Sequence, residues 1–417
     1  MTAASEAEFK DFWRECTHCG LFCRLGPRHP GEVAECPRCG TALWRMRRSH
    51  MNFPLACAMA GLLFYIFALM APFLEIETYG RAAFARLETG PIRLTEGGWE
   101  LLGTLVFIVT LIMPGVKLGI AIITLLGLET GLPRRLLKSL FRWYETISPW
   151  AMMDVYLLGF LVAYTRLTPM FNVHLDTALY ALIGLMLSMA AMDASLDQEL
   201  VWRRLGHEDL PAERGEAQPI GCMVCGLVNH RPPGSPCLRC ETILEPRKPA
   251  SVTRAWAYTI AAACLYVPAN LYPIMNLTSM AKTQPYTIFT GIVELVKNGL
   301  WPVALLVFFA SITIPLLKLV GMAYILVTCQ RGSAQLMRGR TLAYKIINVI
   351  GRWSMIDIFM ISILVALVHF GQIANVTADT GAVCFASVVI LTIFAVDAFD
   401  PRLIWDNAGN AKEDHKA

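Results

Sequence analysis

Charge is scarce in this sequence: 16% of its 417 residues are Asp, Glu, Lys or Arg, against about 25% in a soluble domain. With 55% hydrophobic residues and a mean hydropathy of +0.50, that shortage excludes an ordinary water-soluble globule. The net charge of +4 is small and excludes a global attraction to nucleic acid. No signal-peptide pattern opens the chain. Its first fifty residues are polar and end in "WRMRRSH", after which an apolar run begins at Phe53. The expectation is an N-terminus that stays in the cytoplasm. No G-x-x-x-x-G-K-[ST] loop occurs, so any energy for active work must come from an ion gradient or another subunit. A nucleophile–base constellation is also missing. His174 and His369 stand isolated and read as boundary residues, so the chain reads as no enzyme.

What is present is a series of apolar spans near 53–74, 99–127, 150–166, 177–195, 253–275, 300–328, 352–370 and 381–399. Each exceeds or approaches the roughly 20 residues that cross a bilayer as a helix. The connections 45–50, 132–143, 245–254 and 330–345 are basic, whereas 75–98 is mixed and 371–380 holds a single charge, Asp379. Lys and Arg concentrate on the cytoplasmic side of membrane proteins. Eight crossings then put both termini and the 196–252 connection in the cytoplasm.

The chain is written twice. Cys36 and Cys39 match Cys237 and Cys240 at an offset of 201, and so do the pairs Pro72 and Pro273, Pro114 and Pro315, and Lys117 and Lys318. Trp150 and Asp154 match Trp353 and Asp357 at 203. An even number of crossings per unit gives the two copies the same orientation, as parallel repeats. The fold class expected is an all-α polytopic membrane protein: two parallel four-helix repeats, 51–200 and 251–405, each preceded by a small cysteine module, 1–50 and 201–250, with a polar tail at 406–417.

The first module reads Cys16-x2-Cys19, sixteen residues, then Cys36-x2-Cys39; the second reads Cys222-x2-Cys225, eleven residues, then Cys237-x2-Cys240. Paired knuckles of this kind supply four thiolates in a tetrahedron, the donor set of structural Zn²⁺. Such small modules bury little, so the metal would supply much of their folding free energy. Four protein ligands leave no open position for catalysis. Redox dithiols and a rubredoxin-like iron site are the alternatives. Zinc ribbons also raise a nucleic-acid reading, but the basic residues lie at membrane boundaries and topology explains them.

Four charges fall inside apolar spans. Lys117 and Lys318 each follow a proline by three residues, about ten residues from the basic end, or roughly 15 Å deep. Asp154 and Asp357 lie roughly 8 Å into the next span. An unpaired ammonium at the bilayer centre costs about 2.5–3.5 kcal/mol or more, so the expectation is Lys117 with Asp154 and Lys318 with Asp357. Proline frees a carbonyl one turn upstream, and Thr110, Ser311 and Thr313 are expected to satisfy it. Ser354 completes a polar centre in the second copy. Two readings of these pairs stand: an ion or substrate pathway, or a lock on helix packing.

The layout of two double-knuckle modules, each before four spans, resembles the paraquat-inducible protein A family. "VPANLYPIMNL" (267–277), "GRWSMID" (351–357) and "FDPRLIW" (399–405) are similar to that family's signatures. The resemblance covers essentially the whole chain. It implies an inner-membrane component of a Gram-negative intermembrane phospholipid transport system, working with a periplasmic MCE-domain tunnel protein. It also implies tetraspanin-like four-helix units, cytoplasmic zinc ribbons, and local structure in the loops 75–98 and 276–299. A scaffold that anchors the MCE protein without transporting, and a proton-coupled small-molecule exporter, are the rival readings.

Overall fold

The computed structural model describes residues 12–26, 29, 31–45, 47, 51–78, 81–168, 172–206, 218–279, 282–297, 299–367 and 374–414. His369 lies outside the described residues. The chain opens with two hairpins, β1 (Phe12–Glu15) with β2 (Phe22–Leu25) and β3 (Val33–Glu35) with β4 (Ala42–Arg45). Each hairpin sits beside one cysteine knuckle.

The first helical set follows. Helix α1 (Asn52–Met70) runs into a three-stranded antiparallel sheet in which β5 (Leu74–Thr78) lies between β6 (Arg81–Ala85) and β7 (Asn172–Leu175). A short helix α2 (Thr89–Glu96) precedes the long helices α3 (Glu100–Thr130) and α4 (Arg134–Thr165). Gly131, at φ +76°, closes α3 in a left-handed C-cap that a side chain would strain. Helix α5 (Thr177–Ser195) packs along α1 and is capped by Asp176, whose carboxylate accepts from the Thr177 N–H. Helix α6 (Gln198–Leu205) ends the set.

The second module has one short hairpin, β8 (Ile220–Gly221) with β9 (Val228–Asn229). The element order then recurs. Helix α7 (Ser251–Leu271) leads to a sheet with β10 (Met275–Ser279) between β11 (Lys282–Tyr286) and β12 (Ala374–Ala378). Helices α8 (Ile288–Lys297), α9 (Trp301–Gln330), α10 (Met337–Ala366) and α11 (Thr380–Ala398) follow. Asp379 caps α11 as Asp176 caps α5. The sheets give the loops 75–98 and 276–299 their local structure.

Among the described residues, α1, α3, α4, α5, α9, α10 and α11 are long and apolar enough to cross a membrane. The protein is a mostly helical, polytopic membrane protein. The span expected at 253–275 forms α7, a 21-residue helix packed lengthwise on α11 but less apolar than the seven. Arg254, Asn270 and Pro268 dilute it. Large apolar side chains face outward on these helices, including Leu63, Leu101, Leu187 and Val320. Exposed apolar surface on that scale requires lipid rather than water around it.

Two helices extend beyond the spans expected from the sequence. The spans at 150–166 and 352–370 are the second parts of longer helices, α4 and α10, interrupted by a 3₁₀ turn at Ser148–Trp150 with two non-helical residues after it, and by a 3₁₀ turn at Arg352–Met355. Pro149 explains the first interruption, since it cannot continue an α-helical ladder. Within the polar tail, α12 (Leu403–Asp414) packs on α9 and α10, and Asn407 donates to the Cys329 carbonyl at 3.1 Å.

The cysteine modules cross over. The first packs its Cys16, Cys19 and Trp44 into a core with Tyr344, Phe399 and Trp405 of the second helical set. Arg38 lies 5.0 Å from the Trp405 ring, and its carbonyl accepts from Arg338 at 2.9 Å. The second module packs on the first set, where Arg239 donates to Glu199 of α6 at 3.1 Å.

Candidate functional site

Two quartets of thiols form where the knuckles face each other. Cys16, Cys19, Cys36 and Cys39 lie within 4.8 Å of one another, as do Cys222, Cys225, Cys237 and Cys240. Cross-knuckle sulfurs are 3.4–3.6 Å apart, far beyond a disulfide bond of about 2.05 Å. Tetrahedral Zn–S bonds of about 2.3 Å place sulfurs ~3.8 Å apart, so both quartets can hold a metal ion. Within the first, a hydrogen bond from Cys19 draws Cys16 down to about 4, while the same contact pushes Cys19 up. Four thiols this close cannot all ionise without a cation among them.

The long membrane helices carry a widened turn just before their prolines. A π-helical turn, Ile108–Ile112 in α3 and Phe309–Thr313 in α9, precedes Pro114 and Pro315. The wider turn absorbs the missing proline N–H and leaves a carbonyl over. The expected hydroxyls do not take it up. Thr110 donates to Val106 at 2.8 Å, Ser311 Oγ is buried with no hydrogen-bond partner among the described residues, and Thr313 is half-buried. The groups that do are Tyr65 and Tyr266, whose hydroxyls donate to the carbonyls of Leu111 and Ile312. Sequence reasoning passed over both, although they recur at the offset of 201 that marks the prolines.

The two lysines are buried, each 2% exposed, but their partners differ from the expected ones. Lys117 Nζ lies 2.7 Å from Asp193 Oδ2 at the end of α5, not against Asp154. Tyr144 donates to the other Asp193 oxygen at 2.9 Å. Asp154 is exposed at the start of its helical segment. The acid in reach of Lys117 comes not from the next span along the chain but from α5, which the chain brings alongside only after another crossing. In the second set Lys318 donates to the Gly351 carbonyl at 3.4 Å and to Ser354 Oγ at 3.3 Å. Asp357, 4% exposed, lies one turn beyond Ser354. Ser311, Ser362 and Thr392 are buried polar residues of the same set. Asp397, the counterpart of Asp193, turns outward to Lys248 at 3.7 Å.

One cluster lies outside the membrane helices. Glu15 of β1 accepts from Arg402 at 2.8 Å, from Arg247 at 3.1 Å and from the Gly221 N–H of the second module at 2.9 Å. Arg402 in turn pairs with Asp400 at 2.7 Å, both fully buried. Burial works against the Asp400 charge, but the Arg402 hydrogen bonds outweigh it and hold the carboxyl below its ordinary value. The "FDPRLIW" segment is thus the clamp that joins both cysteine modules to the second helical set.

This duplicated arrangement of sheet, helix with a π-helical turn, and buried lysine coincides with a family model described as "Paraquat-inducible protein A", which matches residues 51–206 and 252–409. The chain belongs to the paraquat-inducible protein A family. The "Intermembrane transport protein PqiA" of Escherichia coli K12 is 30% identical over 400 residues, covering 94% of this chain and 95% of the relative. The "Lipophilic envelope-spanning tunnel protein A" of the same organism is 30% identical over 404 residues, 96% and 93% of the two chains. A "Probable intermembrane transport protein" of Haemophilus influenzae is 28% identical over 402 residues, 94% and 95%. No solved structure matches the chain. Two of these relatives are named as intermembrane transport proteins and one as an envelope-spanning tunnel protein, and none of the three is named as an enzyme.

Proposed function

We propose that this protein is the inner-membrane subunit of an intermembrane phospholipid transport system, passing lipid between the inner membrane and a periplasmic MCE-domain tunnel partner. In this reading the chain crosses the bilayer eight times as two parallel repeats, with α7 as the fifth crossing. The cysteine modules are cytoplasmic zinc ribbons with two structural Zn²⁺ ions, both termini are cytoplasmic, and the two small sheets face the periplasm. The names of the relatives support intermembrane transport, and the basic connections support the orientation. The paired sheets offer a surface on the side where a tunnel protein would dock.

The observation that carries a transporting role, rather than that of a scaffold, is the polar centre of the second set. Lys318 sits buried in a bilayer-length helix with its ammonium on Ser354 and a buried acid, Asp357, one turn on. Buried ionisable groups inside a membrane are costly and mark ion or substrate pathways by default. Coupling to a proton gradient would run through Asp357 and Lys318, with Ser311, Thr313 and Ser354 as relay hydroxyls. Lys117 and Asp154 would hold no equivalent place, because Lys117 is tied to Asp193.

The test is transfer of fluorescent phospholipid by the Asp357→Asn and Lys318→Met variants, each reconstituted at matched amounts. The reading predicts at least about a ten-fold loss with zinc content and thermal stability kept. Transfer at wild-type rate by either folded variant would sink proton carriage through this centre.

A further inference from the structure

A cavity of about 390 Å³ lies on the side of the helices where the cysteine modules sit, within the roughly 300–1,000 Å³ range of small-molecule sites. Its walls come from β1, from β4 and the residue run after it, and from the ends of α5 and the second part of α4's first segment, where Tyr144 stands. Three arginines line it: Arg14, Arg45 and Arg47. Three carboxylates reach it as well: Asp193, Asp197 and Glu199.

The two signs are not equivalent, because the acids are already taken. Asp193 holds Lys117 and the Tyr144 hydroxyl. Glu199 holds Arg203 and Arg239, each at 3.1 Å. Asp197 caps α6, accepting from the Glu199 and Leu200 N–H groups. The nearby Glu145 accepts from Trp202 at 2.8 Å. The arginines are different. Arg14 and Arg45 make no hydrogen bond or ion pair among the described residues, and Arg47 donates only to the Asp193 backbone carbonyl. Burial pulls the Arg47 guanidinium down in spite of Asp197 and Asp193 nearby. A guanidinium does not give up its proton in a protein, so what relieves it is an anion.

We propose that this cavity binds a phosphate-bearing anion, and that the anion is the headgroup of a phospholipid of the leaflet on the cysteine-module side. Arginine forks match phosphate oxygens in paired hydrogen bonds, and three arginines line this cavity with no carboxylate hydrogen-bonded to any of them among the described residues. The cavity lies at the end of the bilayer-length helix α5, beside the basic, amphipathic start of α4 at Arg134–Ile147. Tyr144 and Asp193 line it, and Asp193 in turn holds Lys117. The assignment of the headgroup as the source rests on the transport reading above; the phosphate chemistry of the cavity does not.

The test is isothermal calorimetry on the full chain in a phosphate-free maltoside detergent. Three probes separate the sources: inorganic phosphate, glycerophosphoglycerol, and short-chain dihexanoyl phosphatidylglycerol. The expected result is saturable binding of the short-chain lipid, weaker binding of the headgroup, and weakest binding of phosphate. The R14Q/R45Q variant should weaken lipid binding by about ten-fold or more, and R135Q, an exposed arginine of α4 away from the cavity, should leave it unchanged. Arg45 is exposed and Arg14 half-buried, so the double variant is expected to fold; full metal content and an unchanged melting temperature confirm it. Equal binding of phosphate and lipid overturns the headgroup assignment. Absence of binding by all three probes, or binding equal in R14Q/R45Q, overturns the site. Lipid transfer plays no part in this readout, so a failure of the transport reading is seen separately.

Discussion

Lys117 places its ammonium 2.7 Å from Asp193, an acid from a helix that the chain reaches only after the next crossing is complete. Lys117 is 2% exposed while the Asp193 side chain is 44% exposed, so the two partners stand to lose different amounts. Asp193→Asn strands a buried ammonium and should cost about 1–3 kcal/mol. Lys117→Met removes the buried charge and frees an acid that can reach water, and should cost little. The double variant should therefore be more stable than Asp193→Asn alone. Thermal denaturation of the four proteins in detergent checks this, and a double variant no better than the single would show that the pair is not the relevant contact.

The tyrosine caps give a second cycle. Tyr65→Phe and Tyr266→Phe each leave a π-turn carbonyl without its donor, at about 1 kcal/mol for a hydrogen bond in a membrane protein. Restoring the missing N–H with Pro114→Ala lets the turn close as ordinary helix. Tyr65→Phe should then cost measurably less in the Pro114→Ala background than in the wild type, the coupling expected of residues that share one partner.

Metal analysis checks the thiol quartets. The purified chain should carry two Zn²⁺ ions, and Cys225→Ser should leave one. Because folding free energy of such modules comes largely from the metal, a strong chelator should lower the melting temperature of the wild type. The modules lie across both helical sets, so the loss should not stay local to the modules.

The clamp at Asp400 carries a pH signature. Its carboxyl is held below the ordinary 3.8 by Arg402 after burial has worked the other way. A depressed folded pKa means the contribution to stability is complete above the unfolded value and is lost as pH falls through the lower folded one. Asp400→Asn removes one of the two carboxylates that hold the buried Arg402 guanidinium, leaving Glu15, and should cost about 1.5–3 kcal/mol near neutrality. The gap between wild type and variant should narrow only below about pH 4. A gap that closes between pH 5 and 7 would assign the effect to another group.

Much of this was legible in the sequence, for reasons that can be named. Knuckle spacing brings Cys16 near Cys39 because the ligands are local, and length with apolarity marks Trp301–Gln330 as a bilayer-long helix. The offset of 201 pairs Pro114 with Pro315 and Lys117 with Lys318. What stayed hidden depends on which helix lies beside which. Lys117 meets Asp193 because α5 returns alongside α3's half of the set, and no periodicity states that. Tyr65 and Tyr266 look like ordinary aromatic members of apolar helices until a freed carbonyl appears beside them. The crossing of each cysteine module to the other helical set also lies beyond sequence, because Glu15 and Arg402 are 387 residues apart.

One measurement tests lipid transport most directly: transfer of fluorescent phospholipid by the reconstituted wild-type protein between donor and acceptor vesicles, with the proposed MCE-domain partner, with and without an imposed proton gradient. The account predicts protein-dependent transfer that rises with the gradient and falls to background in Asp357→Asn. Transfer no faster than in protein-free vesicles, with the partner bound and the gradient in place, would contradict it.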